Sequence, residues 1–397
     1  MAIGSDAVTA RITLNRQWAR HEPGHLWVYA GHVGHVEGRA APGDLVEVIR
    51  PDGRRHGIGF FNPASKIMVR LLTFEDERID EAFWRSRIDQ AIRLRQRVVN
   101  GTNAYRLIFS EGDRLPGLIV DRYDHVLVMQ TLSYGMDRRK DVLADILMQA
   151  TGVSAVYLRN DAKSRRLEGL PLERRFLLGG GPTEIEIKEG RARFLVDIER
   201  GQKTGWFCDQ RGNRLAAATL AEGGEVLDVF CHTGAFGIHA ALAGARSVEG
   251  LDVGEEALAL ARRHTVMNQM ESRCLYRKVD AFEEMRNLVK ADRRYDLVML
   301  DPPAFARSKE AIPRALAGYK DVNLLGIKLL KPEGFLVTSS CSQPVSEEAL
   351  WGAIRSAARD VGRQIRLIES RGQGLDHPVL AAMPETRYLK CFIAQIF

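Results

Sequence analysis

The chain has 397 residues, of which 45% are apolar and 27% charged, with a formal net charge of +6. These are the values of a soluble globular chain of roughly two or three domains, and they exclude a low-complexity or disordered protein. No apolar run approaches the roughly 18 residues of a membrane span, and Met1-Ala2-Ile3-Gly4-Ser5-Asp6 carries no signal-peptide pattern, so a cytoplasmic protein without membrane association is expected.

The first segment, residues 1–74, alternates apolar with polar or small residues in "GDLVEVI" (43–49) and "HGIGFFN" (56–62), followed by "IMVRLL" (67–72). Half-buried strands have this period of two, and Pro42-Gly43, Pro51-Asp52-Gly53 and Asn62-Pro63 supply the turns between them. A small β-barrel is expected. From residue 75 the period changes. Ile79, Phe83, Trp84, Ile88, Ala91, Ile92, Arg95 and Val99 mark one face of an amphipathic helix, decorated by Arg85, Arg87, Arg93, Arg95 and Arg97. Strands are expected at 105–110, 117–123, 125–131 and 155–160, with a helix at 137–150. Residues 75–188 thus read as a central α+β domain.

Residues 189–397 change again, to strands alternating with helical segments. "EVLDVF" (225–230), "SVEGLD" (247–252), "LYRKVD" (275–280), "DLVMLD" (296–301), "GFLVTSS" (334–340), "IRLIES" (365–370) and "YLKCFIAQI" (388–396) are the strands, with helices around 235–244 and 254–268. This pattern predicts an α/β, doubly wound and mostly parallel sheet.

Ligands of such sheets bind beyond the carboxyl ends of the strands. Four of those ends here carry Asp228, Asp252, Asp280 and Asp301. Asp228 is followed by the small-residue turn "VFCHTGAFG" (229–237), whose Phe230, Thr233 and Gly234 are candidate cofactor contacts. Asp252 lies at the spacing from the turn at which an acid meets ribose hydroxyls, and Asp280 is placed to meet an adenine edge. The turn is not G-x-G-x-x-G, which argues against a dinucleotide pyrophosphate. An acid at its start suits a cation, and S-adenosylmethionine combines ribose, adenine, ammonium and sulfonium without phosphate. Taken singly, any of these acids is also a good helix cap or turn former. The last of them opens "DPPAF" (301–305), where two prolines end the strand and stiffen the turn behind the carboxylate.

The residues "VLDVFCHTGAFG", "LD" at 251–252, "DA" at 280–281, "DPPAF" and "SSCS" (339–342) resemble the motifs of class I S-adenosylmethionine-dependent methyltransferases. "TGWFCDQRGNR" (204–214), together with "GDLVEV", "GIGFFNPASKIMVRLL" and "EGDRLPGLIVDRY" (111–123), is similar to the RlmI-like ribosomal RNA cytosine-5 methyltransferase family, including its N-terminal PUA domain. The resemblance runs in order over nearly the whole chain. It implies a Rossmann-like methyltransferase sheet behind a PUA-like barrel and a central domain, S-adenosyl-L-methionine as cofactor, and an RNA partner, most directly large-subunit (23S) ribosomal RNA. It also implies that the Gln210–Arg211 segment lies across the cofactor, with Gln210 near its methionine portion and Asp301 close by. Cys231-His232 and Ala235 stand where relatives often have Ser-Tyr and Gly, and Ala304 where Lys is frequent.

Carbon 5 of cytosine is a poor nucleophile. A thiolate adding to carbon 6 makes it enamine-like, and the resemblance assigns that nucleophile to Cys341, at the end of a strand. Asp301, as a hydrogen-bond partner of cytosine N3, would draw electrons from carbon 6, with Phe305 lining the pocket of a flipped base. Ala304 excludes a second cysteine directly after the two prolines, so one cysteine is implied and the base that removes the carbon-5 proton is not identified. RNA N-methylation of guanine or adenine remains an alternative, because an Asp-Pro-Pro-aromatic turn serves amino groups as well. A non-catalytic RNA-binding protein on the same scaffold is another.

Cys208, Cys231, Cys274, Cys341 and Cys391 are odd in number and widely spaced, without a C-x-x-C pair, so free thiols and no structural zinc are expected. His32 and His35 have no evident third metal ligand. Lys163, Arg165, Arg166, Arg174 and Arg175, with the arginines of 85–97, are expected to form a phosphate-binding face. A homodimer is allowed but not required.

Overall fold

A computed structural model describes residues 7–20 and 23–397; the Met1–Asp6 stretch read above lies outside the described residues. The chain divides into two compact units. One comprises Met1–Ile187, Val196–Cys208 and Leu375–Thr386; the other comprises Lys188–Leu195, Asp209–Gly374 and Arg387–Phe397.

The first unit holds two sheets. Strands β1 (Val8–Leu14), β2 (Trp27–Tyr29), β3 (Val33–Gly38), β4 (Leu45–Ile49), β5 (Arg55–Phe61) and β6 (Ile67–Thr73) form a six-stranded sheet in the order β2-β6-β5-β4-β1-β3. Its strands pair antiparallel except β1 with β4. After helix α1 (Glu81–Val98), strands β7 (Ala104–Phe109), β8 (Leu118–Tyr123), β9 (Val126–Thr131), β10 (Ala155–Asn160) and β11 (Glu173–Leu178) form a five-stranded sheet in chain order. The helix expected at 137–150 is divided into α2 (Tyr134–Arg138) and α3 (Lys140–Thr151), with a break at Arg139. One apolar core joins Leu45, Ile58, Phe60 and Leu72 of the first sheet to Trp84, Ile88, Leu107, Val120 and Leu158. The rings of Phe60 and Trp84 stack within it, 6.0 Å apart.

The expected phosphate-binding face needs correction. Arg87, Arg95 and Arg165 are buried. Arg95 grips both carboxylate oxygens of Asp113 and donates to the carbonyls of Arg106 and Asp376, each at 2.8 Å or less. Arg165 donates to Asp137 at 2.9 Å and to the carbonyls of Thr131 and Pro171. A guanidinium offers five donors, enough to be satisfied inside when carbonyls and a carboxylate surround it. Lys163, Arg166, Arg174 and Arg175 are not buried and remain available to such a face.

Strands β12 (Glu184–Glu189) and β13 (Ala192–Asp197) pair as a two-stranded sheet, and helix α4 (Arg211–Ala218) follows. The second unit is then built on seven strands: β14 (Glu225–Val229), β15 (Ser247–Asp252), β16 (Cys274–Lys278), β17 (Tyr295–Leu300), β18 (Leu330–Ser340), β19 (Ile365–Arg371) and β20 (Lys390–Ile396). Their order is β16-β15-β14-β17-β18-β20-β19, parallel except that β20 runs antiparallel to both neighbours. Helices α5 (Ala235–Leu242), α6 (Glu255–Met267), α7 (Ala281–Lys290), α8 (Ile312–Lys328) and α9 (Glu347–Asp360) connect them. The expected α/β doubly wound sheet is present. The chain moves outward from β14 through β15 to β16, then returns to place β17 on the other flank of β14. That reversal opens a crevice at the carboxyl ends of β14 and β17. Register aligns the ends: Val229 lies opposite both Leu251 and Leu300, and Leu300 opposite Thr338.

Among the described residues, no helix is long and apolar enough to cross a membrane.

Candidate active site

The turn after β14 is made by backbone that few residues tolerate. Phe230 (φ 63°), His232 (φ 49°) and Gly234 (φ 75°) alternate in the left-handed region, and this is why β14 ends one residue before the expected boundary. At Gly234 the glycine is also required sterically, since a Cβ would lie 2.4 Å from the Tyr276 hydroxyl. Two carboxylates hold the turn. Asp228 Oδ2 accepts the Gly237 N–H at 2.9 Å. Asp252 accepts the His232 N–H at 2.9 Å and the Gly254 N–H at 2.8 Å. His264, not singled out from sequence, fixes the other side: its Nδ1 lies 2.9 Å from the Thr233 carbonyl, while Nε2 accepts the Leu195 N–H at 2.9 Å. Burial pulls His264 down to about 4, so it is a neutral ring with its proton on Nδ1.

Asp228 is buried, and burial pushes its carboxyl up to about 8; the Gly237 N–H opposes the rise, and the charges of Asp301 and Asp252 add to it. These three strand-end acids therefore share one electrostatic neighbourhood, which a cation would relieve. Burial likewise pushes the Cys231 thiol well up, and Asp228 and Asp252 push the same way, so Cys231 is a neutral wall of the turn. Asp280 is placed differently. It is exposed and caps α7, accepting the Glu283 N–H at 2.9 Å. The turn formers and caps at these strand ends thus coexist with acids gathered around the crevice.

Asp301 follows β17 and is held from α4. Gln210, buried just before that helix, donates from Nε2 to Asp301 Oδ1 at 2.9 Å, and its Oε1 accepts from Asn213 at 2.6 Å. Asn213 in turn accepts from Arg371 Nε at 3.0 Å. Arg211 is buried beside Gln210 in the sequence. Phe305 packs at 4.6 Å on the Tyr319 ring and at 6.3 Å on Phe282, so part of its surface is committed to the core.

Cys341 is half-buried and directly follows β18. A hydroxyl network joins its loop to the Asp301 turn. Ser340 donates to the Tyr319 hydroxyl at 2.8 Å, Tyr319 and Ser342 share a hydrogen bond of 2.8 Å, and Ser342 Oγ accepts the Ala306 N–H at 3.0 Å. Tyr319 was invisible as a site residue in the sequence, because it lies on α8, outside both loops, whereas the serines belong to the "SSCS" run.

A sheet in this order, parallel but for β20, with an acid-held left-handed turn after the first strand and a second acid after the next, is the architecture of a class I methyltransferase. The residues present suit S-adenosylmethionine: a tight turn that only glycine fits at Gly234, carboxylates for hydroxyl and ammonium groups, and an acidic environment for a sulfonium. Residues 157–357 match the family model of S-adenosylmethionine-dependent methyltransferases, and residues 15–74 match that of the PUA-like domain. Ribosomal RNA large subunit methyltransferase I of Shewanella amazonensis is 40% identical over 94% of this chain and 96% of its own length. The proteins of the same name from Alteromonas mediterranea and Salmonella arizonae are 39% and 37% identical, each over 94% of this chain and over 95% and 94% of their own lengths. In fold, the chain is similar to a methyltransferase solved with SAH (TM-score 0.82, 19% identity, 98% of this chain and 100% of that one) and to an S-adenosylmethionine-dependent methyltransferase from Streptococcus mutans (TM-score 0.82, 18% identity, 97% and 99%). The chain belongs to the ribosomal RNA large subunit methyltransferase I family, and its cofactor is S-adenosylmethionine.

Proposed function

We propose that the protein methylates carbon 5 of a cytosine in large-subunit ribosomal RNA, with Cys341 as a covalent nucleophile. The names of its relatives support the RNA class, and the PUA-like segment supports RNA holding by residues 1–74. In this reading the central domain, 75–188, adds phosphate and shape contacts, and 189–397 carries the chemistry. The observation that carries the cytosine-5 reading is the Ser340–Tyr319–Ser342–Ala306 network, which fixes the Cys341 loop to the Asp301 turn. Amino-group methylation uses no thiol and has no need of this tether.

Asp252 and the 230–234 turn would hold the ribose, and Gln210, Arg211 and Asp301 the methionine end. Bound there, S-adenosylmethionine supplies an electrophilic methyl group. The chain's own part begins with a base flipped out of the stack. Cys341 Sγ, as thiolate, bonds to carbon 6 while Asp301, in its protonated form, gives its proton to N3 and leaves carbon 5 nucleophilic; N3 returns that proton to Asp301 when the ring double bond re-forms. After carbon 5 is methylated, its proton is lost to a base, the electron pair re-forms the ring double bond and the Sγ–C6 bond breaks. Pro302 and Pro303 limit the turn's motion, and Gln210 holds the carboxyl in place.

Nucleoside mass spectrometry of ribosomal RNA from a strain lacking the gene tests the reading. One 5-methylcytidine should disappear, return with the wild-type gene and not return with Cys341→Ala. Loss of an N-methylated purine instead would transfer the assignment to amino-group methylation.

A further inference from the structure

Lys390 is the one buried lysine among the described residues. It opens β20, where antiparallel register sets it opposite Ser340, the residue before Cys341. Its Nζ donates to the carbonyls of Ser342 at 2.7 Å and Val345 at 2.8 Å, closing the far side of the loop that Cys341 begins. Both hydrogen bonds go to neutral oxygens, so neither cancels the ammonium charge. The charges that act on it are Cys341 and Glu347, which favour its proton, and Arg387, which opposes. Glu347 is itself engaged by Arg387 at 2.6 Å and by Ser370. Coulombic coupling is mutual: if a thiolate at Cys341 favours the ammonium, the ammonium favours the thiolate.

We propose that Lys390 is a positioning residue for Cys341, clamping its loop through two carbonyls and stabilising the thiolate with a buried ammonium. The proposal rests on the reading of Cys341 as nucleophile and deepens it. Burial, the largest influence on Lys390, pulls it down to about 8, with Cys341 the main counterweight. Burying a lysine costs free energy, and a loop clamp alone could be made with an uncharged donor. The burial of a charge against the loop that carries the thiol is what the second role explains. On forming the ion pair, the proton of the half-buried Cys341 passes from Sγ to solvent water and the ammonium stays protonated, so Sγ is the nucleophile before it meets carbon 6.

The test is the pH profile of Cys341 alkylation by iodoacetamide in the full chain, read by peptide mass spectrometry so that the other four cysteines are separated. Wild-type Cys341 should react with a midpoint below that of an unperturbed thiol, about 8.5. Lys390→Met should move the midpoint up by about one unit, making alkylation roughly tenfold slower at neutral pH, with the limiting rate at high pH nearly unchanged. Lys390→Arg, which keeps the charge, should restore the profile. A wild-type midpoint at or above that of a free thiol overturns the proposal without any variant, and so does a Lys390→Met midpoint equal to wild type. The assay needs no RNA. If Cys341→Ala methylates normally, the covalent reading fails on its own; if Cys341→Ala is dead and the Lys390→Met profile is unmoved, only the role of Lys390 fails.

Discussion

Three arginines of the first unit close ion pairs with acids, whereas the strand-end acids of the second are held largely by backbone. Arg95 with Asp113, Arg106 with Asp121 and Arg165 with Asp137 are ion pairs at 2.5–2.9 Å. Asp228 and Asp252 accept backbone N–H groups at 2.8–2.9 Å, and Asp301 accepts an amide. The second unit can also build the closed kind: Glu189 meets Arg214 at 2.6 Å and His239 at 3.0 Å, and that pairing holds its carboxyl far below the usual range. The difference is one of purpose. A paired carboxylate has spent its charge on the fold, while one held by neutral donors can still respond to a ligand's charge.

The largest effect should come from opening a closed pair. Asp113→Ala leaves Arg95 buried without its carboxylate, and unfolding free energy from urea titration should fall by about 3–5 kcal/mol. Asp228→Asn should cost far less, because an amide oxygen still accepts the Gly237 N–H. Comparable losses for both would erase the distinction.

Next comes the cofactor. Asp252→Ala should weaken S-adenosylmethionine binding by roughly tenfold or more, the cost of about 1.5–3 kcal/mol for a hydrogen bond to a charged group. Calorimetry on a folded variant with unchanged affinity would remove Asp252 from the site.

A smaller effect follows from pH. Asp228 is raised in the folded state from 3.8 to about 8. Its contribution to stability is therefore complete below the unfolded value and is lost as pH rises through about 8. A cationic cofactor favours the ionised form, so affinity should rise a few-fold over the same window while the cofactor-free protein becomes less stable. Asp228→Asn should flatten both profiles.

The smallest effect separates two adjacent arginines. Arg166→Ala, at an exposed position, should lower RNA affinity slightly and reduce the salt slope by about one. Arg165→Ala should destabilise the fold instead.

That last contrast marks where the sequence stops being legible. "KSRR" reads as a charged surface because nothing local says that Arg165 meets Asp137, 28 residues away. Arg95 and Asp113, 18 apart, hide in the same way. Five strands of the second unit, β14, β15, β17, β18 and β20, were legible as apolar, largely buried runs, while the mostly exposed β16 and β19 were marked by their place between turns and helical segments; the acids at strand ends announced themselves as polar residues closing such runs. Strands β1, β2 and β3 and strands β11, β12 and β13 were not located, since charge and short length blur their alternation. The segment Leu375–Thr386 joins the first unit although it lies between strands of the second, a tertiary choice with no local signature. Cys341 and Asp301 were singled out from motif; Tyr319 and Lys390, which hold the Cys341 loop, were not, because each reads as an ordinary polar residue of its own helix or strand.

The proposed mechanism turns on a bond between Cys341 and carbon 6, and a trapping substrate tests for it. Fluorine at carbon 5 cannot leave as a proton, so RNA carrying 5-fluorocytidine, with S-adenosylmethionine, should convert the wild-type enzyme into a protein–RNA adduct that survives denaturing electrophoresis. Cys341→Ala should form none while still binding the cofactor. Absence of the adduct with an enzyme that methylates unmodified RNA, or near-normal methylation by Cys341→Ala, would contradict the covalent mechanism.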